Sequence, residues 1–120
     1  TGAFNNPSAD EDVYVKGNLE VDGSVTNKSS IAATSLNIDF SASNLAYTTS
    51  SAGLITLSNV KDGGTYTLNL RGTTTGTSTF AATGFTFKTV NNGATTTGKE
   101  TIYTFLVLGT VIYVYMVTGI

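Results

Sequence analysis

From residue 31 to the C-terminus, apolar and polar side chains alternate in short runs divided by turn residues. The period of two is that of half-buried β-strands. It predicts strands over 36–40, 46–49, 54–57, 65–71, 78–81, 85–90, 101–108 and 111–118. Within 65–71, Tyr66, Leu68 and Leu70 share one face, with Thr65, Thr67 and Asn69 on the other. Turn signals lie between the runs: Lys61-Asp62-Gly63-Gly64, the threonine-rich 72–77 and Asn91-Asn92-Gly93. No stretch sustains a helical period. Eight short strands at close spacing predict an all-β sandwich or jelly-roll-like knob over 31–120.

The last two runs differ from the others. They flank Gly109-Thr110, a two-residue hairpin turn, and are apolar on both faces. A strand without alternation needs cover on both sides. A membrane helix does not fit, because the segment is short, contains Gly109 and lacks flanking basic residues. The pattern therefore predicts that one face packs in the knob and the other meets partner chains. The partner face is assigned to Phe105, Val107, Ile112, Val114 and Met116.

Residues 13–30 divide into hexads beginning at Val13, Leu19 and Val25, with second apolar positions at Val15 and Val21 and glycines at Gly17 and Gly23. Six residues is the period of a β-helical stack, yet two and a half turns cannot bury a core alone. One reading winds this segment with its copies into a short β-stalk that buries Val13, Val15, Leu19, Val21 and Val25. The other is a hairpin turning at Asn18 or Asp22-Gly23. The stalk is preferred, because it and the hairpin at 101–118 both ask for further copies of the chain. Residues 1–12 lack periodicity, hold Pro7 and read as a linker or docking peptide. Their triplet Asp10, Glu11, Asp12 lacks the regular ligand offsets of a calcium loop.

Composition narrows the function. Of 120 residues, 40 % are hydrophobic and only 12 % charged, against a usual ~25 % charged. The net charge of −2 and six scattered cations leave no phosphate-binding footprint, so no nucleic-acid partner is expected. With no His and no Cys, imidazole and thiolate chemistry is excluded. Gly93 to Lys99 fits G-x-x-x-x-G-K, but Glu100 stands where Ser or Thr should follow, and a β-rich run replaces the required helix. Beyond the N-terminal region only Asp39, Asp62 and Glu100 remain for a carboxylate pair, and Asp62 sits in a turn. The expectation is a non-enzymatic protein without cofactor or metal.

Binding is the remaining activity. Loops rich in Thr and Asn beside an aromatic ring suit sugar hydroxyls and sugar faces. Segments 72–79 and 91–99 with Tyr47 supply the candidates Tyr47, Thr74, Thr75, Asn91, Asn92 and Thr96.

The V-x-V-x-G-N-L-x-V-D-G arrangement from Val13 resembles the triple-stranded β-stalks of bacteriophage fibres. The stretch from Ile55 to Leu68, with Phe85-Thr-Phe-Lys88 and Tyr103-Thr-Phe-Leu-Val107, is similar to the C-terminal knobs of phage tail or head fibre proteins. The resemblance implies a homotrimer on the virion surface. The segment 1–12 would dock to other virion proteins, 13–30 would form the stalk, and the knob would attach to a host polysaccharide or protein, without membrane insertion. The alternative is a monomeric carbohydrate-binding or adhesin module of a larger bacterial surface protein.

Overall fold

The computed structural model describes residues 13–120 apart from Thr73 and Asn91. The expectations for 1–12 lie outside the described residues. Nine strands follow in order: β1 (Ile31–Ala33), β2 (Asn37–Asp39), β3 (Leu45–Thr48), β4 (Leu54–Ser58), β5 (Thr65–Leu70), β6 (Thr79–Ala81), β7 (Thr86–Thr89), β8 (Thr101–Leu108) and β9 (Val111–Val117). Among the described residues there is no helix. The predicted strands all form, with ends shifted by a residue or two, and β1 is an addition.

The chain is all-β, but it is not a sandwich or jelly roll. It is a parallel β-solenoid of about three turns. Odd strands β1, β3 and β5 stack in parallel in one sheet, and β2, β4 and β6 stack in parallel in the other. The corner segments 34–36, 40–44, 49–53 and 59–64 explain the difference. A jelly roll is built from antiparallel neighbours. These corners instead carry the chain across to the opposite sheet, so each strand pairs with the one two places earlier.

Ile31 pairs with Ala46 and Ala46 with Leu68, steps of 15 and 22 residues. In the second sheet the steps from Asn37 to Thr56 and from Leu54 to Thr79 are 19 and 25. The coils thus lengthen along the stack. Buried hydroxyls serve their corners: Thr48 Oγ1 donates to the Ser35 carbonyl at 2.6 Å and accepts from Ser50 N–H at 3.2 Å.

After the third coil the direction changes. β8 runs antiparallel to β5, β9 antiparallel to β8, and β7 parallel to β9, completing the order β1-β3-β5-β8-β9-β7. Gly109 adopts φ 63 and Thr110 does not enter the left-handed region, as a type II′ hairpin turn requires. Phe80 on β6, the last strand of the smaller sheet, lies 5.3 Å from the Tyr103 ring, 5.6 Å from Phe105 and 5.8 Å from Phe87. The larger sheet therefore closes over the end of the smaller one, and the 82–85 turn ties β6 to β7.

This register sets the core. Tyr103, Phe105, Val107, Ile112 and Val114 have no exposed surface and continue the inward row of Tyr66, Leu68 and Leu70. Each full burial of such a side chain contributes about 1.5–3 kcal/mol. The exception is the Tyr103 hydroxyl, which is buried without a hydrogen-bond partner.

Two turn carboxylates act as braces. Asp62 Oδ1 accepts from Gly109 N–H at 2.7 Å, joining the β4–β5 corner to the β8–β9 turn. Asp39 Oδ1 accepts from Asn59 Nδ2 at 2.6 Å and from Ser41 N–H at 2.9 Å. The Asn59 bond, then those from Ser41, hold the Asp39 carboxyl below its ordinary value.

Two outcomes follow. Tyr103→Phe deletes an unpartnered hydroxyl and keeps the ring, so chemical denaturation should show equal stability or a gain of up to about 1–3 kcal/mol. A clear loss would mean that the hydroxyl is bonded. The lowered Asp39 value makes its contribution complete above the unfolded-state pKa of about 3.9 and lost as pH falls through the native value. The stability difference between wild type and Asp39→Asn should therefore be constant from about pH 7 to about pH 5 and shrink at lower pH. A difference independent of pH down to about 2 would contradict the brace.

Candidate functional site

The apolar hairpin does have two apolar faces, but the inward one carries the residues expected at a partner. Phe105, Val107, Ile112 and Val114 are fully buried within their own chain. Met116 packs against the same core, and its sulfur accepts from Gly93 N–H at 3.2 Å. The pairing of Phe105 with Tyr66 and Tyr103 with Leu68 leaves this face nothing to offer another molecule. The outward face of β8 and β9 holds Ile102, Leu106, Leu108, Val111, Tyr113, Tyr115 and Val117. Leu108, Tyr115 and Val117 keep 52, 47 and 61 % of their surface exposed.

The second uncovered surface is the N-terminal segment. Within the single chain, residues 13–30 enter no strand, and a bond from Asn44 N–H to Asn27 Oδ1 at 3.3 Å links them to the solenoid. Val13, Val15, Leu19, Val21 and Val25 are 43–85 % exposed. The hexad pattern is present, and its five apolar side chains stay open to solvent among the described residues.

The threonine-rich loops meet at one corner of the solenoid. Gly76 and Thr95 form an isolated antiparallel bridge. Thr75 Oγ1 lies 2.7 Å from Thr97 Oγ1 and accepts from Thr97 N–H at 2.9 Å. Thr95 and Thr101 share a buried hydroxyl contact of 2.9 Å beneath them. Thr74 and Thr96 are exposed on this corner. Asn92 spends its Nδ2 on the Ser78 carbonyl at 3.1 Å, so its amide is a structural tie. Asn91 lies outside the described residues. The turn at 96–99 closes through Lys99 N–H to the Thr96 carbonyl at 2.9 Å, without a helix.

Tyr47 sits beside these loops but is not an open stacking platform. The Arg71 guanidinium covers its ring at 4.0 Å from the centroid. Arg71 Nε also donates to Asn69 Oδ1 and faces Glu100 Oε1 at 3.3 Å. Arg71, Asn69 and Glu100 were not among the expected residues. Arg71 directly follows β5 and Glu100 precedes β8, and only the β5–β8 pairing, across some thirty residues of sequence, brings them together. The cluster offers donors and acceptors suited to hydroxyl groups. Asp39, Asp62 and Glu100 each have a separate partner.

No family model, curated protein or solved structure matches the chain. The residues themselves therefore carry the functional argument.

The corner depends on Gly72, whose Cα faces the backbone of Ser50 and Ser51 so closely that a Cβ would overlap it. Gly72→Ala should cost about 1–3 kcal/mol in denaturant titrations, since backbone cannot yield as a side chain does. Arg71→Ala removes an exposed ion pair and should cost no more than about 1 kcal/mol. The reverse ranking would refute this account of the corner.

Proposed function

We propose that the protein is a structural fibre component of a bacteriophage virion, assembled as a homotrimer and attaching to the host cell surface through a glycan-type receptor. The observation that carries the reading is the row of Val13, Val15, Leu19, Val21 and Val25, spaced for a β-stalk and exposed among the described residues. Burial against copies of the same segment would return about 1.5–3 kcal/mol per side chain. The outward apolar face of β8 and β9 adds a second surface for the same assembly. Three joined chains would also present three copies of the 72–79 and 91–99 loops, so weak contacts of each would gain through multivalency. The N-terminal residues would join other virion proteins.

A second reading has one observation in its favour. The inward face of the hairpin is filled by its own chain, which suits a monomeric carbohydrate-binding or adhesin module. It leaves the exposed row at 13–25 unexplained.

Light scattering on the purified chain separates the two. Three chains of 12.4 kDa give about 37 kDa, and this is the expected mass. Leu19→Asp with Val21→Asp should return the monomer while the β-rich circular dichroism spectrum persists. A wild-type monomer at all concentrations would overturn the trimer and favour the module.

A further inference from the structure

The corner opposite the threonine loops gathers the β2–β3, β4–β5 and β6–β7 turns. Two shallow depressions lie there, of about 300 and 320 Å³, at the small end of the ~300–1,000 Å³ range of ligand sites. They share Asn59 and Lys61 as a common ridge. On one side the floor is the buried pair Phe40 and Tyr66 with the exposed Asn44 at the rim, and on the other the wall is the half-buried Phe85 with Thr83. One depression thus has a partly open aromatic wall, the other a polar rim over an aromatic floor, and both share the polar divider.

The divider is unusually well fixed. Asn59 has φ 58, the one non-glycine among the described residues in the left-handed region. Asparagine tolerates that conformation better than most residues, and backbone held there often marks a binding site. The Asp39 carboxylate takes the Asn59 Nδ2 and leaves Oδ1 as an oriented acceptor without a donor among the described residues. The Lys61 backbone N–H donates to Tyr66 Oη at 3.0 Å, which pins the base of the lysine. Its ammonium has no ion-pair partner among the described residues. Gly64 lies against the Tyr66 ring, where a Cβ would overlap the phenol, so the ring can lie along the turn. Asn44 uses its Nδ2 on the Thr65 carbonyl at 2.8 Å and likewise keeps Oδ1 available.

We propose that this double depression binds a short, neutral, hydroxyl-rich oligosaccharide, one ring unit on either side of the Asn59–Lys61 ridge. Sugar hydroxyls donate to the Asn59 and Asn44 carbonyl oxygens and accept from the Lys61 ammonium. The apolar face of one ring lies against the half-buried Phe85, while the other ring is held by its hydroxyl contacts over the edge of the buried Phe40–Tyr66 pair. Apolar walls with a few placed polar groups are the usual composition of small-molecule sites. The site deepens the attachment reading by placing a saccharide contact away from the threonine loops.

The test is saturation-transfer NMR on the full chain with cellobiose, lactose and chitobiose as probes. At least one disaccharide should receive transfer. Asn59→Gly keeps the left-handed backbone and deletes the amide, and Lys61→Ala deletes the ammonium. Each should weaken binding about tenfold, the equivalent of one good hydrogen bond. Lys99→Ala, which removes a cation from the other corner, should leave it unchanged. Circular dichroism confirms that each variant is folded. No transfer to any probe, or transfer insensitive to both groove variants, overturns the site. If Thr75→Ala abolishes transfer while Asn59→Gly does not, the contact lies in the threonine loops and the groove is refuted. Retention of the same proteins on a panel of intact bacterial cells judges the attachment reading separately. Wild type and Asn59→Gly retained alike would overturn the groove and keep attachment, whereas transfer to a disaccharide without retention on any cell would do the reverse.

Discussion

A stack of parallel coils has to end, and each end leaves a row of unpaired backbone groups over an apolar interior. The antiparallel joint between β5 and β8 is how this chain resolves the problem at one end. Without it, Leu68 and Leu70 would form the last layer of the larger sheet and Phe80 would lack its aromatic neighbours. With it, Tyr103, Phe105, Ile112 and Val114 extend the interior past the third coil, β7 becomes the outer strand of the larger sheet, and Phe80 of β6 packs beneath them. Asp62 fastens the tip of that cap to the coil below. At the opposite end β1 and β2 are edge strands, and residues 13–30 lead into them. Among the described residues the stack is therefore capped at one end and ends on the open edges of β1 and β2 at the other.

That asymmetry links fold to function. In the proposed fibre, the apolar segment leading to the first coil would continue the solenoid into a shaft. The capped end carries the apolar outward face of β8 and β9, which in the proposed trimer would meet a neighbouring chain. The corner turns lie along the two sides of the stack. The threonine loops and the Arg71–Glu100 cluster mark one corner, and the Asn59–Lys61 ridge marks the other. Sites at turns can vary without disturbing the coil interior, since the corner segments are not part of the ladders.

Local structure was legible in the sequence because alternation reports strands residue by residue. Tyr66, Leu68 and Leu70 point inward as their spacing implies, and the 101–108 strand is found at those bounds. Pairing was not legible. Solenoids announce themselves by a fixed repeat, and here the steps of 15, 19, 22 and 25 residues share no period. The one regular repeat, the hexads of 13–30, lies outside the coils. β1 was missed because Ile-Ala-Ala shows almost no alternation of polarity. In the hairpin, both faces being apolar gave no signal as to which faces inward. The row of Phe105 and Val107 was assigned outward, and only the partners on β5 decide the matter. At the candidate site the 72–79 and 91–99 loops meet through the Gly76–Thr95 bridge, a contact that no local pattern announces. The stacking of Arg71 on Tyr47 and the left-handed Asn59 depend on distant pairings and leave no local mark.

The central proposal is that the apolar row of 13–25 is covered by other copies of the same segment. Amide hydrogen exchange of the purified protein, resolved by peptide, tests it most directly. The account predicts that amides in 13–30 are protected in the assembled protein and lose protection on dilution while the solenoid keeps its own. Exchange of 13–30 at the rate of a free peptide at every concentration, beside a fully protected solenoid, would contradict it.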